Sequence, residues 1–292
     1  MLITTDSFIE GVHFLADQPP ESVGAKLLAV NLSDIASMGG RPGEAVITMM
    51  LPDSTDLEWV ERLYKGLGEV AKEFGVNVVG GDVSRHPDRK SLALTLIGRS
   101  RRDEVLYRSR GIPGDYLFVS GTLGDADAGL ELLRNPSLNH QSTILNDKYL
   151  LPSPRIELGR LLARTHTASA CIDLSDGIAV GSRQLAEASG LAIELNRSSI
   201  PISNDLNSYC QTRNFDPIDW ALRAGGDYEL LFSVPPGSRR RVERFAITHP
   251  TLPRLTCIGQ LISGQPGTVT IKHSELSEKL TDGGWEHFKN GG

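Results

Sequence analysis

Apolar residues recur at helical spacing from Leu57 through Val60, Leu63, Tyr64, Leu67, Val70 and Ala71 to Phe74, so they share one face of a helix. Asp53 or Ser54 is placed to cap its start, and Gly75 to end it. An Ala- and Leu-rich run over 21–38 predicts a second helix. Strand-like stretches at 2–5, 44–51, 76–79 and 91–97 surround these two.

Pro and Gly then punctuate Arg110-Gly111-Ile112-Pro113-Gly114-Asp115, which marks an interdomain turn. Beyond it the pattern predicts strands over 116–119, 170–174, 191–195 and 228–234. Helices are predicted over 125–133, 154–163, 182–188 and 238–247, and short strand-like pieces end at Cys257-Ile258. The stretch 135–148 is polar and reads as a surface excursion. No regular repeat is present. The alternation predicts an α/β (α+β) two-domain fold, with domains at 1–110 and 111–292.

Composition narrows the partners. The 292 residues are 39% hydrophobic, enough for a sizeable core. With 30 Lys+Arg against 36 Asp+Glu, the net charge of -6 gives no support to a broad nucleic-acid footprint. A small anionic ligand needs only a few local donors. Cys171, Cys210 and Cys257 form neither a close metal-binding pair nor a disulfide framework, which suits a reducing, cytoplasmic setting. No apolar stretch approaches the roughly 20 residues of a membrane span, and no cationic leader precedes an apolar segment. The first strand opens the chain and is expected to be a sheet edge.

The chemistry concentrates at Ile172-Asp173-Leu174-Ser175-Asp176-Gly177, where an apolar run ends in two carboxylates bracketing a hydroxyl. Such clusters suit Mg²⁺, which keeps several waters and takes one or two carboxylates plus substrate phosphates. On a strand, Asp173 and Ser175 share a face while Asp176 does not. A turn beginning at Ser175 brings all three around one ligand. An Asx-type turn with a helix N-cap accounts for the same pattern without any ligand.

Other aspartates repeat the theme. Asp6 follows the first strand. Asp34 lies inside an apolar helix, with Asn31 and Ser33 as local hydrogen-bond partners. Asp82 follows Gly80-Gly81, a pair that also reads as a tight turn. Gly121-Thr122-Leu123-Gly124-Asp125 offers backbone N–H groups to a phosphate, but it has neither P-loop spacing nor the dinucleotide fingerprint. Arg108 and Arg110 suit phosphate pairing or the open surface. His13 suits either an anion or a local hydrogen bond. Gly225-Gly226-Asp227-Tyr228-Glu229 reads as a substrate loop or a plain turn into a strand, and Trp285 as an aromatic wall or a packing residue. No Ser/His/Asp spacing supports covalent hydrolysis.

Thr4-Thr5-Asp6-Ser7-Phe8-Ile9-Glu10-Gly11-Val12-His13-Phe14, Asn31-Leu32-Ser33-Asp34-Ile35-Ala36-Ser37-Met38-Gly39, Gly80-Gly81-Asp82 and the Asp173 cluster occur in that order. Together with Leu151-Pro152-Ser153-Pro154-Arg155, Asp227-Tyr228-Glu229-Leu230 and Gly284-Trp285-Glu286-His287-Phe288, this set resembles the thiamine-monophosphate kinase family along essentially the whole chain. The resemblance implies an aminoimidazole ribonucleotide synthetase-like fold, with an N-terminal α/β domain that makes a homodimer through its sheet and a C-terminal α/β domain. It implies transfer of the ATP γ-phosphoryl group to thiamine monophosphate with Mg²⁺. The implied metal-site residues are Thr5, Asp6, Asp34, Asp82, Asp173 and Asp176, with Asp82 and Asp176 central to catalysis. Arg108, Gly121, Asp82 and Ser175 correspond to nucleotide positions, and His13 and Trp285 to substrate positions.

Four departures accompany the resemblance. The family carries a segment with a Gly-Asp-Asp motif before the position matching Leu2, and this sequence lacks it, so the N-terminal half of the site is expected to be incomplete. Gly226 stands where the family has a substrate-contacting Glu, Gly181-Ser182 where it has an acidic helix start, and Arg110 where it has Gly. A noncatalytic nucleotide-binding or oligomerisation protein, or a kinase for another phosphorylated small molecule, remain the alternative readings.

Overall fold

The computed structural model describes residues 1–138, 142–274 and 276–281. The first half contains β1 (Leu2–Ile9), α1 (Pro20–Ser37), β2 (Arg41–Leu51), α2 (Leu57–Phe74), β3 (Asn77–Arg85) and β4 (Ser91–Arg99). Its sheet runs β1-β4-β2-β3, with β2 and β3 parallel and the other pairs antiparallel. Strand alternation gives the sheet two unlike faces. On β1, Thr4, Asp6 and Phe8 turn inward, while Ile3, Thr5 and Ser7 lie on an open face.

Helix α1 is buried along nearly its whole length, between the sheet and α2. Two glycines permit that approach. A Cβ on Gly66 would lie 1.9 Å from the Glu21 carbonyl oxygen, and one on Gly24 2.1 Å from that of Leu63. The predicted face of α2 is realised by Leu63, Leu67, Val70 and Ala71, whereas Leu57 is exposed. Asp56, rather than Asp53 or Ser54, takes the N-cap position, and Gly75 closes the helix in the left-handed conformation at φ 68°.

The second half contains β5 (Tyr116–Ser120), α3 (Asp125–Arg134), α4 (Thr143–Leu150), α5 (Ile156–Arg164), β6 (Ala170–Asp173), α6 (Ile178–Ala188) and β7 (Ala192–Asn196). It continues through α7 (Asn204–Arg213), α8 (Pro217–Arg223), β8 (Leu230–Val234), α9 (Arg239–Thr248), β9 (Leu255–Ile262), β10 (Val269–His273) and β11 (Leu276–Lys279). The sheet order is β11-β10-β7-β9-β5-β8-β6. Leu117, Val119, Ile172 and Leu231 enter a core shared with α3, α6 and α7. Their strand neighbours Phe118, Cys171 and Phe232 point the other way, into a core continuous with α1 and the first sheet. That continuity fixes the seam on which the functional residues meet.

Several elements differ from the sequence expectation. Strand β1 reaches Ile9, so Asp6 lies within it rather than after it. Gly80-Gly81-Asp82 forms no tight turn but runs inside β3. There a Cβ on Gly81 would lie 1.9 Å from the Ile47 carbonyl oxygen, and the β2–β3 register shifts between Ala45 and Val46. The polar stretch 135–148 includes the start of α4, whose N-cap Ser142 accepts from the Leu145 N–H. Helices α7 and α8 carry few buried residues and depend on the caps Ser203 and Asp216. Helix α6 starts at Ile178, so Gly181 and Ser182 fall in its buried interior, not at an acidic start. Among the described residues no helix is long and apolar enough to cross a membrane.

Candidate active site

Strand β6 sets the site. Ala170 and Ile172 fill the outer core, and alternation turns Cys171 and Asp173 toward the seam with α1. There the Ser33 hydroxyl donates to Asp173 Oδ2 at 2.8 Å, from one half of the molecule to the other. One residue on, Asp34 accepts a hydrogen bond from Thr4 of β1. Asp6, two residues further along β1, turns to the same inner face. Ser33 is therefore not the local partner of Asp34 that the sequence suggested, and Asn31 donates instead to the Leu27 carbonyl oxygen.

After Asp173 the chain turns through Ser175-Asp176-Gly177 into α6. Ser175 is exposed and Asp176 half-buried. The turn expected at Ser175 is present. Opposite it runs the Gly225–Tyr228 loop, in which the Gly226 N–H donates to the Ser175 carbonyl oxygen at 2.7 Å and the Tyr228 N–H to that of Leu174 at 3.0 Å. Tyr228 holds a left-handed φ of 51°, costly for a bulky residue. Sequence reading attached no specific role to this tyrosine.

The carboxylates of Asp6, Asp34 and Asp173 lie close enough to raise one another. Burial pushes the Asp6 carboxyl up to about 7, and Asp34 adds to the rise. Burial and then Asp34 also push Asp173 up to about 7, against the pull of the Ser33 hydroxyl. Asp34 is raised by burial, while Thr4 and Arg108 act in the opposite direction. The Tyr228 phenol is driven well above its ordinary value by burial and then by Asp6, Asp173, Asp34 and Asp176. Tyr228 thus sits amid four acids, with the Arg108 guanidinium near Asp34.

Such carboxylates are costly to ionise together. Asp6 Oδ2 is buried with no hydrogen-bond partner among the described residues. This all-oxygen donor set fits a hard divalent cation that retains water and completes its coordination on phosphate. Among the described residues, no three acidic, His or Cys side chains are already drawn into a ligand shell. The residues fit a partly hydrated ion, not a closed protein cage.

Other expected site residues lie elsewhere. Thr5 turns to the open face, where it accepts from the Thr95 hydroxyl at 3.1 Å, because odd positions of β1 point away from Asp6. Asp82 is exposed on β3, three strands from β1, roughly 14 Å at about 4.8 Å per strand. Neither joins the cluster of its own chain. Gly121 offers no free donor: its N–H goes to the Arg254 carbonyl oxygen at 2.8 Å, and its φ of 63° suits a tight turn against Glu229. Two more of that loop's N–H groups are engaged, Leu123 with the Pro201 carbonyl oxygen at 3.0 Å and Gly124 with Asp227 at 2.8 Å, and Asp227 also accepts from the Ala126 N–H just beyond at 3.2 Å.

Glu229 is buried and paired with Arg155, whose Nε donates to it at 2.7 Å. The Asp227/Glu229 pair is therefore structural. Arg110 lies over the Tyr107 ring, 4.3 Å from its centroid. His13 is half-buried, accepts from the Ile9 N–H at 3.1 Å and stacks on Phe8. Trp285 lies outside the described residues.

Residues 1–100 match the N-terminal domain of AIR synthase related protein, and residues 113–272 match its C-terminal domain. Thiamine-monophosphate kinase from Aquifex aeolicus (strain VF5) is 36% identical over 290 residues, which cover 99% of this chain and 88% of that protein. The chain belongs to the thiamine-monophosphate kinase family. The Escherichia coli (strain K12) thiamine-monophosphate kinase is 34% identical, over 99% of this chain and 86% of that protein. A solved structure of AaThiL complexed with AMPPCP and TMP matches 98% of this chain and 86% of its own, with a TM-score of 0.84 and 35% identity. The hydrogenase maturation protein HypE, at 20% identity and a TM-score of 0.80, shares the fold alone. Family membership thus carries the two-domain α/β architecture that the alternation of elements predicted.

Proposed function

We infer that this chain transfers the γ-phosphoryl group of ATP to thiamine monophosphate, giving thiamine diphosphate and ADP. The observation that carries this reading is the gathering of Asp6, Asp34, Asp173 and Asp176 around Tyr228 on the domain seam, in a kinase family. The similarity to AaThiL, solved with AMPPCP and TMP, supports both substrates. The seam falls between domains that we place at 1–110 and 111–292.

Asp6, Asp34, Asp173 and Asp176 would hold Mg²⁺, which when bound neutralises phosphate charge. Ser33 and Thr4 orient Asp173 and Asp34 toward the seam. Arg108, exposed beside Asp34, is placed to pair with a phosphate and to stabilise charge in the transition state. The Ser175 hydroxyl lies just ahead of α6, whose N-terminal N–H groups favour an anion. The acceptor phosphate is itself the nucleophile, so no general base is needed and positioning supplies most of the acceleration. His13 lies on the loop into α1 and Trp285 near the chain end, and we retain both as substrate contacts.

A homodimer through the open face of the first sheet is part of this reading. Ile3 and Val46 are exposed there, at 60% and 42%. Thr5 and Asp82 share that face, so we place their contribution at the dimer face rather than in the cluster of their own chain. Three free cysteines support a cytoplasmic setting. The test is incubation with ATP, Mg²⁺ and thiamine monophosphate. Thiamine diphosphate is the expected product; nucleotide binding by folded protein without that product would instead favour the noncatalytic alternative.

A further inference from the structure

Arginines gather where β2, β4 and α5 meet, in a cleft of ≈ 500 Å³ lined by Arg41, Arg99, Arg101, Arg160, Arg164 and a single acid, Glu104. Their placement is unfavourable twice over. Arg41 and Arg99 are direct partners across the antiparallel β2–β4 ladder, where like charges repel. Arg160 and Arg164 stand one turn apart on α5, again a repulsive spacing. The two pairs face the same cleft. Burial lowers Arg160 first, and Arg41 and Arg164 lower it further, with Glu104 opposing them.

Counter-ions inside the protein do not resolve this. Arg99 pairs with Glu44 at 3.0 Å, and Arg101 with Asp103 at 3.4 Å and Glu104 at 3.5 Å. Among the described residues, Arg41, Arg160 and Arg164 form no ion pair or side-chain hydrogen bond. A helix C-terminus attracts cations, which accounts for Arg164 in the last turn of α5. It leaves Arg160 and the Arg41–Arg99 pairing without an explanation. The concentration also runs against the overall charge of -6.

We propose that this cleft is a second anion site that binds a small polyphosphate through Arg41, Arg160 and Arg164. Planar guanidiniums grip phosphate oxygens two at a time, and three unpaired ones suit a diphosphate group better than a lone monoanion. The cleft falls within the roughly 300–1,000 Å³ range of small-molecule sites. Bound anion removes both repulsions at once.

The test is calorimetric titration of the whole chain with inorganic pyrophosphate in EDTA, so that no divalent ion bridges the anion to the carboxylates. One saturable event is expected, weakened about tenfold or more in R160Q/R164Q and retained in R108Q. Pyrophosphate should raise the unfolding temperature of the parent but not of R160Q/R164Q. The unliganded double variant should unfold close to the parent, because the repulsion removed offsets the helix-end attraction lost at Arg164. No saturable heat, equal affinity in parent and R160Q/R164Q, or loss of binding in R108Q would overturn the proposal. So would a double variant that is markedly less stable without ligand, since the arginines would then be structural.

Discussion

Ser33 donates to Asp173 across 140 residues of sequence, at 2.8 Å, and so links α1 to the carboxylate strand β6 at the seam of the two domains. Replacing Ser33 with Ala leaves Asp173 buried without that donor. A single buried hydrogen bond to a charged acceptor contributes about 1.5–3 kcal/mol. Ser33→Ala is expected to lose up to about that much stability in urea unfolding and to lower kcat by about tenfold or more. Unchanged kcat would show that Asp173 needs no orientation from α1.

Arg155 and Glu229 form another buried contact beside the site, with only 15% and 2% side-chain exposure. Removing one partner of such a pair strands the other charge, at a cost of about 3–5 kcal/mol. Arg155→Met should therefore unfold at far lower denaturant than the parent. The E229Q/R155M pair should recover part of the loss in a double-mutant cycle. A purely additive cycle would show no coupling between the two.

Lys26 is buried in α1, with its amine 3.4 Å from the Tyr149 ring centroid. The ring face favours the cation, but burial outweighs it and lowers the amine to about 7 from 10.5. Below the folded value both states carry the proton, so the penalty of a buried charge is fully present. As pH rises from about 7 toward 10.5 only the unfolded state holds the proton, and stability increases. Lys26→Met should therefore be more stable than the parent at pH 7 and below, by on the order of a few kcal/mol. That advantage should shrink toward pH 10. A pH-independent difference in chemical unfolding would refute the assignment.

The open face of the first sheet offers a test of assembly. Val46 is 42% exposed there, in register with Thr95 of β4. Val46→Arg should convert a dimer to a monomer in analytical ultracentrifugation, with the fold intact by circular dichroism. A parent that sediments as a monomer would remove the dimer from this account.

Much of this was legible in the sequence, for identifiable reasons. Strong periodicity announced α2, and the apolar run ending in Asp173 announced both β6 and the turn at Ser175. Helices α7 and α8 escaped because so few of their residues are buried that little pattern is imposed. Gly80-Gly81 looked like a turn because glycine loosens any backbone; here it allows close approach to β2, a tertiary fact. Strand alternation could have shown that Thr5 and Asp6 face opposite ways once β1 was extended to Ile9. The Ser33–Asp173 and Tyr228 contacts depend on how the two halves dock. Local spacing does not encode that.

The most direct measurement is ³¹P NMR of purified protein with ATP, Mg²⁺ and thiamine monophosphate, beside Asp176→Asn. Thiamine diphosphate and ADP should appear one for one in the parent. Turnover should be at least about a hundredfold slower in the variant, at similar thermal stability. Release of inorganic phosphate without thiamine diphosphate, or equal rates in parent and variant, would contradict this mechanism.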